Sequence, residues 1–196
     1  MTLYASVAQV KAALQISDSV DDALITMAAT SASALIEGYC GRRFDTTSAT
    51  KLFIADNNYL LKIDDLISIS TLKSSSQSNG TFDVTWATTD YQLEPLNGEV
   101  EGLAFPFTRI RAIDEYLWPY GSNEADVQIV GSWGFSAVPS QVEQAAVIQA
   151  MRIFKRLDSP LGVAGFGDFG AMRVSKGLDP DVAQLVAPYV KYTGVA

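Results

Sequence analysis

The spacing of apolar residues changes twice along this chain, and that double change limits its fold more than any other feature. Up to Tyr39 the apolar residues recur at helical spacing, from about Lys51 to Trp133 they alternate, and after Val138 helical spacing returns. A period of 3.6 marks one face of a helix and a period of 2 marks one face of a strand. The chain therefore reads as α+β. It comprises a helical core (two amino-terminal helices plus a long third helix), an inserted antiparallel β module, and an extended carboxy-terminal arm ending in a short helix. The expected boundaries are 1–50 for the amino-terminal helical part, 51–137 for the β module, 138–157 for the long core helix and 158–196 for the glycine-rich loop and docking arm.

Local signals fill in this outline. Ser6 is placed to cap a short helix through Leu14, with Val7, Val10 and Leu14 on one face. Ser19 and Asp22 have the spacing of a capping box, and Asp21 and Asp22 suit the positive end of a helix dipole. The second helix is expected to run to about Tyr39 with Leu24, Met27, Ala28 and Leu35 as its apolar stripe. Ala29, Ser31, Ala32, Ser33 and Ala34 keep much of its remaining surface small, and Gly38 and Gly41 mark its end. In the β module, 51–54 and 59–63 flank the turn residues Asp56, Asn57 and Asn58 as strand candidates. Ile67, Ile69 and Leu72 alternate with polar residues, Phe82, Val84 and Trp86 do the same after Asn79-Gly80, and 110–113 and 127–130 supply the last strands.

Pro139 suits an early position in the third helix, where its missing N–H costs nothing. Val142, Ala146, Ala150, Ile153, Phe154 and Leu157 form the apolar side of that helix. Gln141, Gln144, Gln149, Arg152, Lys155 and Arg156 form the other, and the terminal cations complement the dipole. Beyond it lies a glycine-dense stretch, Gly162-Val163-Ala164-Gly165-Phe166-Gly167-Asp168-Phe169-Gly170, before a restart at Asp179-Pro180. The segment 152–182 is too apolar for a solvated linker and too rich in glycine to build its own core. It needs a surface to lie against. The stretch from Asp158 to Tyr192 is expected to be removable without unfolding the remainder.

Composition excludes several classes of function. With 48% hydrophobic and 18% charged residues the chain is expected to be a folded, soluble globular protein. No basic region followed by a long apolar run suggests a secretion signal, and the apolar run 23–36, interrupted by Thr26, Thr30, Ser31 and Ser33, falls short of a membrane span. A net charge of −8 argues against a nucleic-acid clamp, which needs lysine and arginine, though an acidic wall would keep DNA from adhering to a channel. Histidine is absent and Cys40 is the single cysteine, so zinc, Cys–His and Ser–His–Asp sites cannot be assembled and only carboxylate chemistry stays open. Cys40 is expected to be a packing residue.

Three constellations resemble sites. Residues 165–170 match G-x-G-x-x-G, but a dinucleotide fingerprint needs a strand before it and a helix directly after it. The sequence around the motif puts a helix before and an extended segment after. Asp64 with Asp65, and Glu99 with Glu101, are the carboxylates that a glycosidase reading would use. Nothing beside them would raise the pKa of one acid, and Asp64 and Asp65 point to opposite faces of a strand. Tyr116, Trp118 and Tyr120, with Trp133 and Phe135, could form a sugar platform, an interface or the core of the β module.

The order of motifs at the two ends resembles a known family. At the front stand Asp21-Asp22 and then Tyr39-Cys40-Gly41-Arg42-Arg43-Phe44. At the back, Val127-Gln128-Ile129-Val130-Gly131-Ser132-Trp133-Gly134-Phe135 leads to Val138-Pro139 and Gln144-Ala145-Ala146. Arg152-Ile153-Phe154-Lys155-Arg156, Asp158-Ser159-Pro160-Leu161-Gly162, Gly165-Phe166-Gly167-Asp168 and Asp179-Pro180-Asp181-Val182 then follow. This resembles the head–tail connector (adaptor) proteins of long-tailed bacteriophages, especially those infecting actinobacteria.

The resemblance implies a non-enzymatic virion protein: a homo-oligomeric ring, usually of twelve copies, beneath the phage portal protein at the capsid vertex. Such a ring extends the channel through which double-stranded DNA passes without sequence-specific binding, and it offers a platform to the next neck or tail protein, a stopper or tail terminator. It implies no cofactor, no membrane, and assembly in the host cytoplasm. The residues expected at the portal or subunit interface are Arg152, Lys155, Arg156, Leu161, Gly162, Phe166, Gly167, Phe169, Arg173, Val182 and Tyr189. The alternative is a carbohydrate-binding virion or tail component that uses the aromatic residues of the β module.

Overall fold

A computed structural model describes residues 2–77, 79–121, 124–157, 163–165, 171–173 and 178–191, with 157, 163–165 and 171–173 described through their backbone. The chain forms two compact units, one of residues 1–44 with 138–196 and one of residues 45–137. Together the described residues make a mixed α+β protein.

The first unit is built on helices α1 (Val7–Leu14), α2 (Asp22–Cys40), α3 (Ser140–Leu157) and α4 (Pro180–Val186), the last running into a 3-10 turn at Ala187–Tyr189. Ser6 starts α1 with a reciprocal capping box. Its hydroxyl accepts the Gln9 N–H at 3.2 Å, while its own N–H donates to Gln9 Oε1 at 2.7 Å. The box expected at Ser19 and Asp22 does not form. Asp21 is the N-cap of α2 and makes no side-chain cap bond, and the Asp22 carboxylate is taken instead by Lys11 Nζ at 2.6 Å. That ion pair ties α1 to α2.

The buried face of α2 differs from the expected stripe. Ile25, Ala28, Ala29, Ala32, Ser33, Ile36 and Cys40 point inward, and Leu24, Met27 and Leu35 point out. The small residues decide this. Ala29, Ala32 and Ser33 on α2, with Ala145, Ala146 and Ala150 buried on α3, give two helix faces with little side-chain bulk to keep them apart. Gln149, assigned to the outer side of α3, is buried as well, and its Oε1 accepts the Asp179 N–H at 3.2 Å.

The second unit holds a sheet of strands β1 (Thr46–Phe53), β2 (Leu60–Ser74), β3 (Val84–Thr85), β4 (Tyr91–Glu94), β7 (Phe107–Ala112) and β8 (Val127–Gly134). A separate hairpin pairs β5 (Glu99–Val100) with β6 (Leu103–Ala104). The sheet order is β1-β8-β2-β7-β4, with β3 added to β2, and every pairing is antiparallel. The strands flanking the turn at Asp56 therefore do not pair with each other, because β8 lies between them. Residues 60–74 form one strand, not several. Its register shifts near Leu66 move the inward set from Leu61 and Ile63 to Leu66 and Leu72, so one strand pairs with β7 in its first half and β8 in its second.

The core of this unit contains Leu61, Ile63, Leu66, Leu72, Ile110, Val127, Ile129 and three tryptophans. Each of two indoles reaches a partner: Trp86 Nε1 donates to Ser74 Oγ at 2.8 Å and Trp133 Nε1 to the Ala49 carbonyl at 2.9 Å. Strands β9 (Val163–Gly165) and β10 (Ala171–Arg173) pair as an antiparallel ladder of their own.

Candidate assembly surfaces

The residues expected at an interface fall into three groups. Arg152 and Lys155 are exposed on the last turns of α3 and Arg156 is half-buried there. The Arg152 guanidinium is ion-paired with Asp179, whose carboxylate also caps α4 by accepting the Asp181 N–H at 2.8 Å. Val182 and Tyr189 are core residues, and Val186 is buried beside them. Tyr189 packs edge-on against Phe44 and donates its hydroxyl to Gln141 Oε1 at 3.1 Å. Their apolar surface is needed inside the unit, which leaves none of it for a partner. Leu161, Gly162, Phe166, Gly167 and Phe169 lie outside the described residues, and Arg173 is described through the backbone of β10.

Residues 179–191 of the arm are consequently part of the helical unit. The Lys191 N–H donates to the Cys40 carbonyl at 2.7 Å, directly before Gly41 closes α2 in the left-handed conformation at φ 64°. Burial pushes the Cys40 thiol up to about 11, with Arg42 pulling the other way, so this cysteine is a packing group and a poor nucleophile.

The other constellations resolve into structural roles. Gly165 ends β9, residues 166–170 lie outside the described residues, and β10 begins at Ala171, so a strand and not a helix follows the motif, which gives a phosphate no helix amino terminus there. Asp64 is exposed and pairs with Lys51 at 2.7 Å, while its neighbour Asp65 is buried on the opposite face. Glu99 lies on the β5–β6 hairpin and Glu101 in its turn, both exposed. Arg109 and Arg111 both reach Glu94 across the β4–β7 pair, at 3.6 and 2.7 Å, as a cross-strand cluster inside one unit. Trp86 and Trp118 stack at 4.0 Å between centroids and are both buried, with Tyr116 against Trp86 at 5.5 Å.

One surface escaped the sequence reading. Val20, Leu24, Met27, Leu35 and Tyr39 are 84, 40, 64, 42 and 46% exposed. Leu24, Met27, Ser31, Leu35 and Gly38 share one side of α2, Tyr39 lies at its edge and Val20 just ahead of its first turn. Two apolar patterns overlap in this helix, one of large residues and one of small, and the larger side chains look like the core when size alone is weighed.

Residues 4–87 match the family model for Phage gp6-like head-tail connector protein. The fold is similar to that of a chain from the neck of an empty gene-transfer-agent (GTA) particle computed with C6 symmetry, at 17% identity and a TM-score of 0.56, covering 99% of this chain and 95% of that one. It is similar to a chain from the neck of the native GTA particle computed with C12 symmetry, at 17% identity and 0.54, covering 96% and 90%. A third similar chain, from the virion of the native particle, gives 18% identity and 0.55, covering 96% and 91%. No curated protein matches the chain by sequence. None of these matches carries the narrower link to phages of actinobacteria. By the family model over residues 4–87 this chain resembles the head–tail connector proteins, and by fold over nearly all its length it resembles chains of the GTA neck.

Proposed function

We propose that the protein is a structural head-to-tail adaptor that forms a ring of twelve copies on the phage portal, extends the DNA channel and presents a platform to the next neck or tail protein. The observation that carries this reading is the pairing of the connector-family match with a fold shared, over 96% of the chain, with a chain of the GTA neck computed with C12 symmetry. The net charge of −8 is consistent with a conduit that DNA traverses without adhering. In this reading the protein works in the virion neck, is made and assembled in the host cytoplasm, and acts through shape and interfaces, without catalysis. The carbohydrate-binding alternative gains no support from the aromatic cluster, because its stacked tryptophans are buried.

The exposed cations Arg152 and Lys155, with Arg156 and the stretch 158–177, are the proposed contact with the portal or a neighbouring copy. The test is imaging of the purified protein with and without portal particles. Rings at the portal vertex are expected, and portal particles that stay bare sink the reading. Replacing 158–177 with a Gly–Ser linker of equal length should abolish association while both units stay folded. Undiminished binding removes that stretch from the interface.

A further inference from the structure

In the helical unit, every exposed large hydrophobic among the described residues lies on or just before α2: Val20, Leu24, Met27, Leu35 and Tyr39. The same side of the helix carries no charge. Between Asp22 and Arg42 the only ionisable side chain besides Tyr39 and the buried Cys40 is Glu37, which accepts the Tyr4 hydroxyl at 2.5 Å. The flanking hydroxyls are satisfied internally. Thr26 Oγ1 donates to the Asp22 carbonyl at 2.7 Å and Thr30 Oγ1 to the Thr26 carbonyl at 2.8 Å. Covering this face therefore buries no ion and leaves the exposed hydroxyls of Ser31 and Tyr39 to be paired across the seam or kept at its rim, which removes the largest cost of docking.

We infer that the outward face of α2 is the seam that receives the next copy of this chain in the ring; the inference rests on the adaptor reading above. Charge favours a copy of itself as occupant. Two chains of net charge −8 repel, and they approach at least cost where each is neutral. DNA would need cations here, and the face has none. A bilayer is the other apolar candidate, since α2 is long and apolar enough to cross one by length and composition alone. Its inner face, from Ile25 to Cys40, is the core of the helical unit, and entering a membrane would strip that core apart.

Size sets the mode of association. A helix of 19 residues is about 28 Å long, and a face about 10 Å wide gives about 280 Å², roughly a third of what one partner contributes to a standard interface. The seam therefore needs further contacts to hold. Pairing α2 with α2 would close after two copies, so the face meets a different surface of its neighbour, as a closed ring requires.

The test is photo-crosslinking from this face. Met27→Cys is labelled with a benzophenone maleimide, which the buried Cys40 does not accept, and illuminated with portal particles and anionic phospholipid vesicles present. Copy-to-copy products extending beyond the dimer are expected. Products with the portal, with another protein or with lipid, or products that stop at the dimer, overturn the inference. In parallel, Met27→Glu with Leu35→Glu should keep the wild-type thermal midpoint, because both positions are exposed, and should raise the concentration needed for ring formation about tenfold or more. Rings that form as readily as wild type also overturn it. If unmodified protein forms rings while the α2 label reports another neighbour, this inference alone fails. If unmodified protein neither binds portals nor forms rings, the adaptor reading fails and this one with it.

Discussion

The ring of Phe44 meets the ring of Tyr189 edge-on, with centroids 5.7 Å apart, while Tyr4 approaches Phe44 in the same manner at 5.6 Å. Three separated parts of the chain thus converge on one buried phenylalanine, and the Tyr4 hydroxyl accepts the Phe44 N–H at 2.9 Å. This makes the carboxy-terminal helix part of the fold. Phe44→Ala should cost about 3–5 kcal/mol, measured by denaturant unfolding. Tyr189→Phe, which removes the hydroxyl bonded to Gln141, should cost about 0.5–1.5 kcal/mol. Deleting 158–192 should unfold the helical unit, whereas the linker replacement of 158–177 should not. A deletion that left the unfolding midpoint unchanged would show α4 to be dispensable.

Gly131 and Gly38 make opposite predictions for the same substitution. A Cβ on Gly131, in β8 between β1 and β2, would stand 2.3 Å from the Ser68 carbonyl oxygen, a backbone atom that cannot step aside. Gly131→Ala should cost about 1–3 kcal/mol or more. Gly38 lies within α2 with nothing within 4 Å of a built Cβ, so Gly38→Ala should stabilise by about 0.5–1 kcal/mol. Thermal unfolding of both variants decides the matter, and equal midpoints would contradict this packing.

The sequence was readable wherever one physical rule acted alone. Ser6 and Asp179 cap their helices because a small polar side chain ahead of an apolar run has few other uses. It was not readable where rules competed. The carboxylate of Asp22 went to Lys11 and not to a capping box, because a cation in reach outcompetes a neutral N–H. Leu24, Met27 and Leu35 looked like core because size usually decides burial, but in α2 the close approach of α3 selected Ala29, Ala32 and Ser33. Strand pairing was hidden as well, since β8 enters between β1 and β2 from far along the chain and no local signal records it. Of the proposed assembly surface, the exposed Arg152 and Lys155 could be read directly and the outward face of α2 could not.

Cys40 provides a pH signature. Its thiol is pushed from an ordinary 9.0 up to about 11 by burial, so between these values the folded chain holds a proton that the unfolded chain has lost. Stability should therefore be unaffected below about pH 9 and should decline as pH rises from there through about 11. Tyr91 and Tyr189, also raised by burial, add to the decline at its upper end. Cys40→Ala should flatten the first part of that slope, and the native thiol should resist a disulfide reagent at pH 8 until the unit unfolds. Rapid native labelling, or an identical slope in the variant, would contradict the assigned burial.

The last prediction concerns the ion pair of Arg152 with Asp179. The carboxylate is buried, caps α4 and faces a guanidinium that remains 44% exposed, so the pair sits at the rim of the unit and solvent screens part of its attraction. Arg152→Gln leaves the buried carboxylate without its cation and should cost about 1–3 kcal/mol. Asp179→Asn removes the charge but keeps an acceptor for the Asp181 N–H, so it should cost less than Arg152→Gln. The double variant should come close to the milder single one, because an uncharged amide in place of the carboxylate no longer needs the cation. Unfolding of the three variants closes the cycle, and strictly additive costs would mean that the two side chains do not act as a pair.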